Sequence, residues 1–232
     1  MKIGVLGTGM AGQTVAGRLA ELGHEVAVGT RDPGGTLARA EPDAMGNPPF
    51  VRWHAQHAAV QLLPFAEAAE HGEMVVNATA GGTSLAVLKT AGAAALDGKV
   101  LLDLANALDF SAGFPPTLSV LNTDSLAEQI QRAFPSVRVV KSLNTVACQV
   151  MVDPARLGGA HDIFLAGDDP SAKHAVHGLL VELGWPPDSI IDLGGLRAAR
   201  GPEMYLPLWL SLMKFLGTSD FNIKVVRAPH TG

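Results

Sequence analysis

Lys2-Ile3-Gly4-Val5-Leu6-Gly7-Thr8-Gly9-Met10-Ala11-Gly12-Gln13-Thr14-Val15-Ala16-Gly17-Arg18-Leu19-Ala20 is the stretch whose reading decides the fold. A short apolar run suited to a buried strand leads into glycines spaced G-x-G-x-x-G, and an amphipathic helical pattern leads out. Each glycine has its own task. Gly7 permits the tight turn out of the strand, Gly9 lets the backbone approach a pyrophosphate with no side chain between, and Gly12 lets the helix pack closely on the strand. The helix then aims its unpaired N–H groups and positive dipole end at the phosphates. Gly7, Thr8, Gly9, Met10, Ala11 and Gly12 are therefore read as a dinucleotide phosphate cradle.

The second strand selects the dinucleotide. Gly23-His24 turns the chain, and Glu25-Val26-Ala27-Val28-Gly29 reads as a strand whose end carries Thr30-Arg31-Asp32-Pro33. An NAD site carries an acid here for the ribose hydroxyls, whereas an NADP site carries a small polar residue and a cation. Thr30 and Arg31 fit the second pattern. The guanidinium makes a forked, charge-assisted contact with a 2′-phosphate, and the hydroxyl adds a neutral bond. Asp32 admits two readings: turned to the ribose it favours NAD, whereas as a helix N-cap with Pro33 at the first helical position it leaves the phosphate site intact. The Asp-Pro order favours the cap.

Strand-like and helix-like runs alternate along the chain, the pattern of a parallel sheet covered on both faces. After a helix starting near Gly34 and a Pro/Gly-rich loop over residues 42–49, strands are expected at Val60-Gln61-Leu62-Leu63, Met74-Val75-Val76-Asn77-Ala78, Val100-Leu101-Leu102-Asp103 and Val137-Arg138-Val139-Val140-Lys141-Ser142. Helices are expected over residues 65–71, from Gly82-Thr83-Ser84 to Ala95, and from an Asp124 or Ser125 cap to Ala133. The loop over residues 105–123 carries Phe110, Phe114 and Leu118 and reads as a packed site wall. Residues 1–145 form the Rossmann-type, doubly wound nucleotide domain in this reading. Residues 146–232 form a smaller α/β extension with strands Ile163-Phe164-Leu165-Ala166 and Ile190-Ile191-Asp192-Leu193, and with Asn222-Ile223-Lys224-Val225-Val226 as an edge strand. Residues 203–216 are apolar almost all round, so that helix needs cover on both sides; a subunit interface is favoured over the core of its own subunit.

Composition narrows the classes. A chain of 232 residues can bury a substantial core, and a net charge of −5 gives little electrostatic support for nucleic-acid binding. The single Cys148 excludes an intramolecular disulfide and fits a reducing cytosol. The short apolar run after Lys2 is occupied by the glycine motif and does not read as a signal peptide, and no apolar stretch reaches membrane-spanning length. No catalytic acid, base or nucleophile is assigned. His54/His57 and His174/His177 lack a third ligand at metal spacing, and Cys148 lacks an activating partner. Lys141, at a strand end, either contacts phosphate or points to solvent. Such scarcity suits hydride transfer between two cofactors, which mainly requires stacked ring faces, better than alcohol oxidation, which needs a proton acceptor. Among the strand ends, Thr79-Ala80-Gly81-Gly82 can flank the nicotinamide, and Asn144-Thr145 can either orient a carboxamide or cap the next helix.

Residues 2–12, Thr30-Arg31, Val139-Val140-Lys141-Ser142-Leu143-Asn144-Thr145, Ala166-Gly167-Asp168-Asp169 and residues 202–224 together resemble the family of NADP-dependent oxidoreductases that use the 8-hydroxy-5-deazaflavin coenzyme. The likeness covers nearly the whole chain. It implies a homodimeric, cytoplasmic Rossmann protein with NADP in the glycine loop and the deazaflavin stacked on its nicotinamide. Hydride would pass between nicotinamide C4 and deazaflavin C5, with geometry as the main catalytic device. Position by position, it implies Thr8, Gly9, Met10 and Ala11 at the pyrophosphate and Thr30 and Arg31 at the 2′-phosphate. Ala80 and Asn106 fall at the nicotinamide half, with Ser142 and Asn144 near the second ring. Archaeal members carry a histidine where Asn144 stands, and the Val-Val-Lys-x-x-Asn-Thr string is similar to the cytosolic domain of transmembrane ferric reductases, so the same scaffold serves deazaflavin, flavin or another acceptor. Two further classes stay open: an NADP-dependent dehydrogenase of a small keto or hydroxy acid, and a non-catalytic NADP sensor.

Overall fold

Alternation in the strands builds both faces of the central sheet. In β1 (Lys2–Leu6), Ile3 and Val5 enter one apolar cluster and Leu6 enters the other, the period-2 consequence of pleating. The computed structural model describes residues 1–42 and 46–228. Residues 43–45 of the Pro/Gly-rich loop and the last four of the C-terminal unit lie outside the described residues.

The strands that follow are β2 (Glu25–Thr30), β3 (Gln61–Pro64), β4 (Met74–Asn77), β5 (Val100–Asp103), β6 (Leu108–Asp109), β7 (Thr117–Leu118), β8 (Arg138–Ser142), β9 (Ile163–Gly167) and β10 (Ile190–Asp192). The main sheet has eight strands in the order β10-β9-β8-β5-β4-β1-β2-β3. From β3 to β8 neighbours run parallel; β9 pairs antiparallel with β8 and parallel with β10. This is a Rossmann-like α/β sheet whose order reverses at β1, between β2 and β4, and the switch point lies at the glycine loop. The position after residue 145 falls in the connection following β8, and β9 and β10 extend the same sheet beyond it.

The helices are α1 (Met10–Glu21), α2 (Pro33–Ala38), α3 (Phe50–Gln56), α4 (Phe65–His71), α5 (Gly81–Ala91), α6 (Ala93–Leu96), α7 (Leu126–Ala133), α8 (Cys148–Val152), α9 (Pro170–Glu182), α10 (Arg200–Met204) and α11 (Leu206–Leu216). α1, α8 and α9 cover one face through Val15, Leu19, Val150 and Leu179; α4, α5 and α7 cover the other through Ala68, Leu88 and Ile130. Asp32 caps α2 by accepting from the Gly35 N–H, with Pro33 in the first turn. Ser125, rather than Asp124, caps α7 by accepting from the Glu128 N–H.

Several expectations are corrected. α3 arises where the sequence showed only a polar stretch, and His54 and His57 bond the carbonyls of Val60 and Trp53. The helix expected to run to Ala95 breaks into α5 and α6 at Gly92, whose φ is 92°. The segment 105–123 contains the β6–β7 hairpin, and Phe110 and Phe114 stand 51% and 68% exposed, so this wall is not packed. Residues 222–226 form no strand: the backbone is held by the Asp162 carboxylate, which accepts from Lys224 Nζ at 2.5 Å and from the Val225 N–H at 2.7 Å. In α11 only Leu206 is buried, while Leu208, Phe215 and Leu216 are exposed. The apolar helix is thus left largely uncovered by the described residues of its own chain.

Candidate functional site

At the carboxyl end of β1 the three glycines adopt the geometry their spacing implies. Gly7 has φ +122°, and a Cβ there would lie 2.6 Å from the Ala78 carbonyl oxygen. A Cβ on Gly12 would lie 2.1 Å from the Gly7 oxygen, whereas a Cβ on Gly9 would meet nothing within 4 Å. Two glycines are enforced by protein atoms; Gly9 is bordered by open space. Gly9 is also the N-cap of α1, which has no side-chain cap bond and no acid in its first turn. The first turn of α1 thus has no side-chain cap and begins beside open space.

Beside the cradle, Thr8, Gly9, Gln13, Thr36, Arg39 and Phe50 line a cavity of about 110 Å³. Arg31 is exposed at the end of β2. Thr30 is buried, and its hydroxyl shares a 2.8 Å hydrogen bond with the Thr36 hydroxyl. Thr36 lines the cavity. Arg39 and Thr36 escaped the sequence reading because α2, a six-residue helix, returns them to the strand end. The signal was the Asp32 cap, which fixes where that helix starts.

On the other side of β1 the strand ends of β4, β5 and β8 bring Ala80, Asn106 and Asn144 together. Ala80 is the N-cap of α5, and a Cβ on the following Gly81 would lie 2.0 Å from the Asn106 carbonyl oxygen. Asn106 Nδ2 donates to the Asn144 carbonyl at 2.9 Å, and Asn144 Nδ2 donates to Asn106 Oδ1 at 3.0 Å. Leu143, preceding Asn144, takes φ +64° while buried, a strained conformation for a bulky side chain. That turn carries Asn144 to Asn106. Thr145 Oγ1 is buried without a partner, and α8 is capped by Ala147 with no side-chain bond, so Thr145 does not cap the next helix. Ser142 is buried, and its hydroxyl donates to the Phe164 carbonyl at 2.7 Å.

Lys141 neither touches the cradle nor reaches solvent. Its ammonium is fully buried, 2.8 Å from Asp103 Oδ2 and 3.0 Å from Glu203 Oε1, and it also donates to the Ala105 carbonyl. Burial opposes the charge, but the carboxylates of Asp103 and Glu203 outweigh it and hold the ammonium above its ordinary range. Asp103 Oδ1 in turn accepts from Asn77 Nδ2 at 2.8 Å and the Ala105 N–H at 3.2 Å. Glu203 accepts from the Leu126 and Ala127 N–H groups at 2.8 and 3.1 Å. The available signal was a lysine and an aspartate ending two apolar strands; they prove to be cross-strand partners.

A cleft of about 570 Å³ opens between the hairpin connection, through Phe114, Pro115 and Pro116, and α11, through Pro207, Leu210, Ser211 and Lys214. Cys148 is half-buried, and burial pushes its thiol up, away from nucleophile chemistry. Among the described residues no group of three His, Cys, Asp or Glu side chains could hold a metal ion, and no helix is long and apolar enough to cross a membrane.

Residues 2–107 match the family model for NADP oxidoreductase, coenzyme F420-dependent. The chain is 30% identical over 235 residues to the F420-dependent NADP reductase of Methanothermobacter marburgensis, covering 99% of this chain and 100% of that one. It is 28% identical over 215 residues to the rat (Rattus norvegicus) metalloreductase STEAP3, covering 90% of this chain but 38% of the longer relative. Among solved structures, a candidate F420-dependent NADP reductase from Arthrobacter sp. FB24 superposes with a TM-score of 0.93 at 55% identity, covering 98% of this chain and 100% of that one.

Proposed function

The chain belongs to the family of NADP oxidoreductases dependent on coenzyme F420, and from that premise we propose that it passes a hydride between NADP(H) and an 8-hydroxy-5-deazaflavin coenzyme or a related flavin-type acceptor. The two rings supply the chemistry: hydride leaves or joins nicotinamide C4, and the acceptor ring takes or gives it. The chain's own residues bind and orient. The first-turn N–H groups of α1 hold the pyrophosphate above Gly9, where the cradle has room for it. Arg31, exposed at the end of β2, meets the 2′-phosphate, and Arg39 lines the cavity beside the glycine loop. Asn106, Asn144 and the unpartnered Thr145 hydroxyl offer the carboxamide its donors and acceptors.

The observation that carries this reading is the state of the ionisable groups behind the amide pair. Asp103, Lys141 and Glu203 are bonded to one another and to backbone, so none of them faces a substrate as acid or base. A keto-acid dehydrogenase would need a lysine at its substrate, and Lys141 is sealed. The apolar cleft between the hairpin and α11 supplies flat surfaces for the second ring. The uncovered face of α11 supports a homodimer, and the soluble cofactors it would use suit a cytosolic setting. Mixing the protein with NADPH and oxidised deazaflavin tests the reading by absorbance: loss of the deazaflavin band supports it. Turnover of a keto acid alone would select the dehydrogenase, and NADPH binding with no turnover would select the sensor.

A further inference from the structure

Three carbonyl or carboxylate groups converge on one buried ammonium, and each belongs to a different part of the acceptor cleft's support. The Ala105 carbonyl lies at the root of the hairpin: the Leu108 N–H donates to the Asn106 carbonyl and the Ser119 N–H to the Ala107 carbonyl, both at 2.8 Å. Glu203 sits in α10, which leads directly into α11. Asp103 ends β5 and is tied through Asn77 to β4. A second clamp fixes α10 to α7, where Arg200 meets Glu128 at 2.8 and 2.7 Å. The hairpin and α11 therefore stand as two walls on one charge-paired foundation.

We propose that Lys141 is a positioning residue for the acceptor: by binding the Ala105 carbonyl and Glu203 at once, it fixes the gap between the hairpin and α11. The inference rests on the acceptor reading above. Buried ion pairs add little net stability over apolar packing, so their clearest use is to enforce one arrangement. A displacement of about 1 Å at a site of stacked rings can cost up to a hundredfold in rate. The cradle at α1, built from backbone on the far side of β1, does not depend on Lys141.

Two variants test this. Glu203→Gln loosens the α11 root while leaving Lys141 with Asp103; Asp103→Asn combined with Lys141→Met removes a charge pair together and leaves Glu203 on its two α7 amides. For each, the expected result is an NADPH Kd within about threefold of the parent and an acceptor kcat/KM lower by about tenfold to a hundredfold, mostly through kcat. Hydrogen exchange should quicken together in residues 105–118 and 206–216. Parallel losses in NADPH and acceptor terms, unchanged kinetics, or quickened exchange in one wall alone would overturn the proposal. Where a variant fails to fold, exchange in the parent protein under mild denaturant decides: the two walls should open as one unit, and independent opening counts against Lys141. If the parent protein shows no turnover with deazaflavin, the acceptor reading fails by itself, and the exchange result still judges the shared foundation.

Discussion

The two ends of the candidate site are built from opposite materials. The cradle at Gly7 to Gly12 consists of backbone: a positive φ, two enforced close approaches and a patch of empty space over Gly9. The ring end consists of side chains contributed by β4, β5, β8 and α10, among them Asn77, Asp103, Lys141 and Glu203, all buried. A backbone cradle tolerates many neighbours because its donors point outward from one helix end. A side-chain foundation works only when every partner is present, since an unpaired charge in the interior costs several kcal/mol.

Removing the ammonium attacks that difference most directly. Lys141→Ala leaves two carboxylates facing each other without their cation and should cost about 3–5 kcal/mol in urea unfolding, the range for breaking a buried pair. The raised Lys141 pKa adds a sign. Its contribution is complete below the ordinary value of 10.5 and is lost as pH rises through the higher folded value. A stability loss below about 1 kcal/mol would mean the cluster is ordinary surface electrostatics.

The cradle offers the contrasting experiment, because two of its glycines have different reasons to be there. Gly12→Ala drives a methyl into the Gly7 carbonyl and should destabilise the fold by about 3 kcal/mol. Gly9→Ala meets no protein atom and should leave the melting temperature unchanged while weakening NADPH. Equal thermal losses for both would erase the distinction between a packing glycine and a ligand glycine. Between the two ends, Arg31→Ala should weaken NADPH by about 1.5–3 kcal/mol and leave NADH nearly untouched by calorimetry. Equal losses for both coenzymes would remove the 2′-phosphate from Arg31.

The smallest effect lies away from both ends, at the ion pair between Arg132 of α7 and Asp124. Hydrogen bonds from the Arg132 guanidinium hold the Asp124 carboxyl down at about 2. The pair is partly solvated, so Arg132→Ala should lower stability by less than about 1 kcal/mol at neutral pH. A depressed carboxyl contributes fully above its unfolded value and loses that contribution as pH falls through the folded one. The difference between parent and variant should therefore fade between about pH 4 and pH 2; a difference that persists at pH 2 would assign Arg132 another role.

Legibility followed the same divide. The glycine loop, the Asp32 cap with Pro33, and the strands at β1, β2, β4 and β5 were readable because each rests on neighbours within a few residues. Phe110 and Phe114 misled because an aromatic in a long loop reads as packed whether it faces a core or an open cleft. The bonds of the Ser142 and Thr30 hydroxyls to the Phe164 carbonyl and the Thr36 hydroxyl were not legible, because those partners are set by neighbouring elements of the fold. α11 reads from its composition as too apolar for one face, and among the described residues only Leu206 of it is buried.

From the sequence alone came the chain order of the main-sheet strands, the tight glycine turn after β1 and the Asp32 cap, because strand period, glycine spacing and capping act over one turn of chain. Only the folded chain decided what Lys141 does. Its partners are 38 residues upstream at Asp103 and far downstream at Glu203, and no local rule carries the information that three buried charges will meet. Charge pairing in an interior is set by which strand ends lie side by side, and that order emerges only when the whole sheet closes.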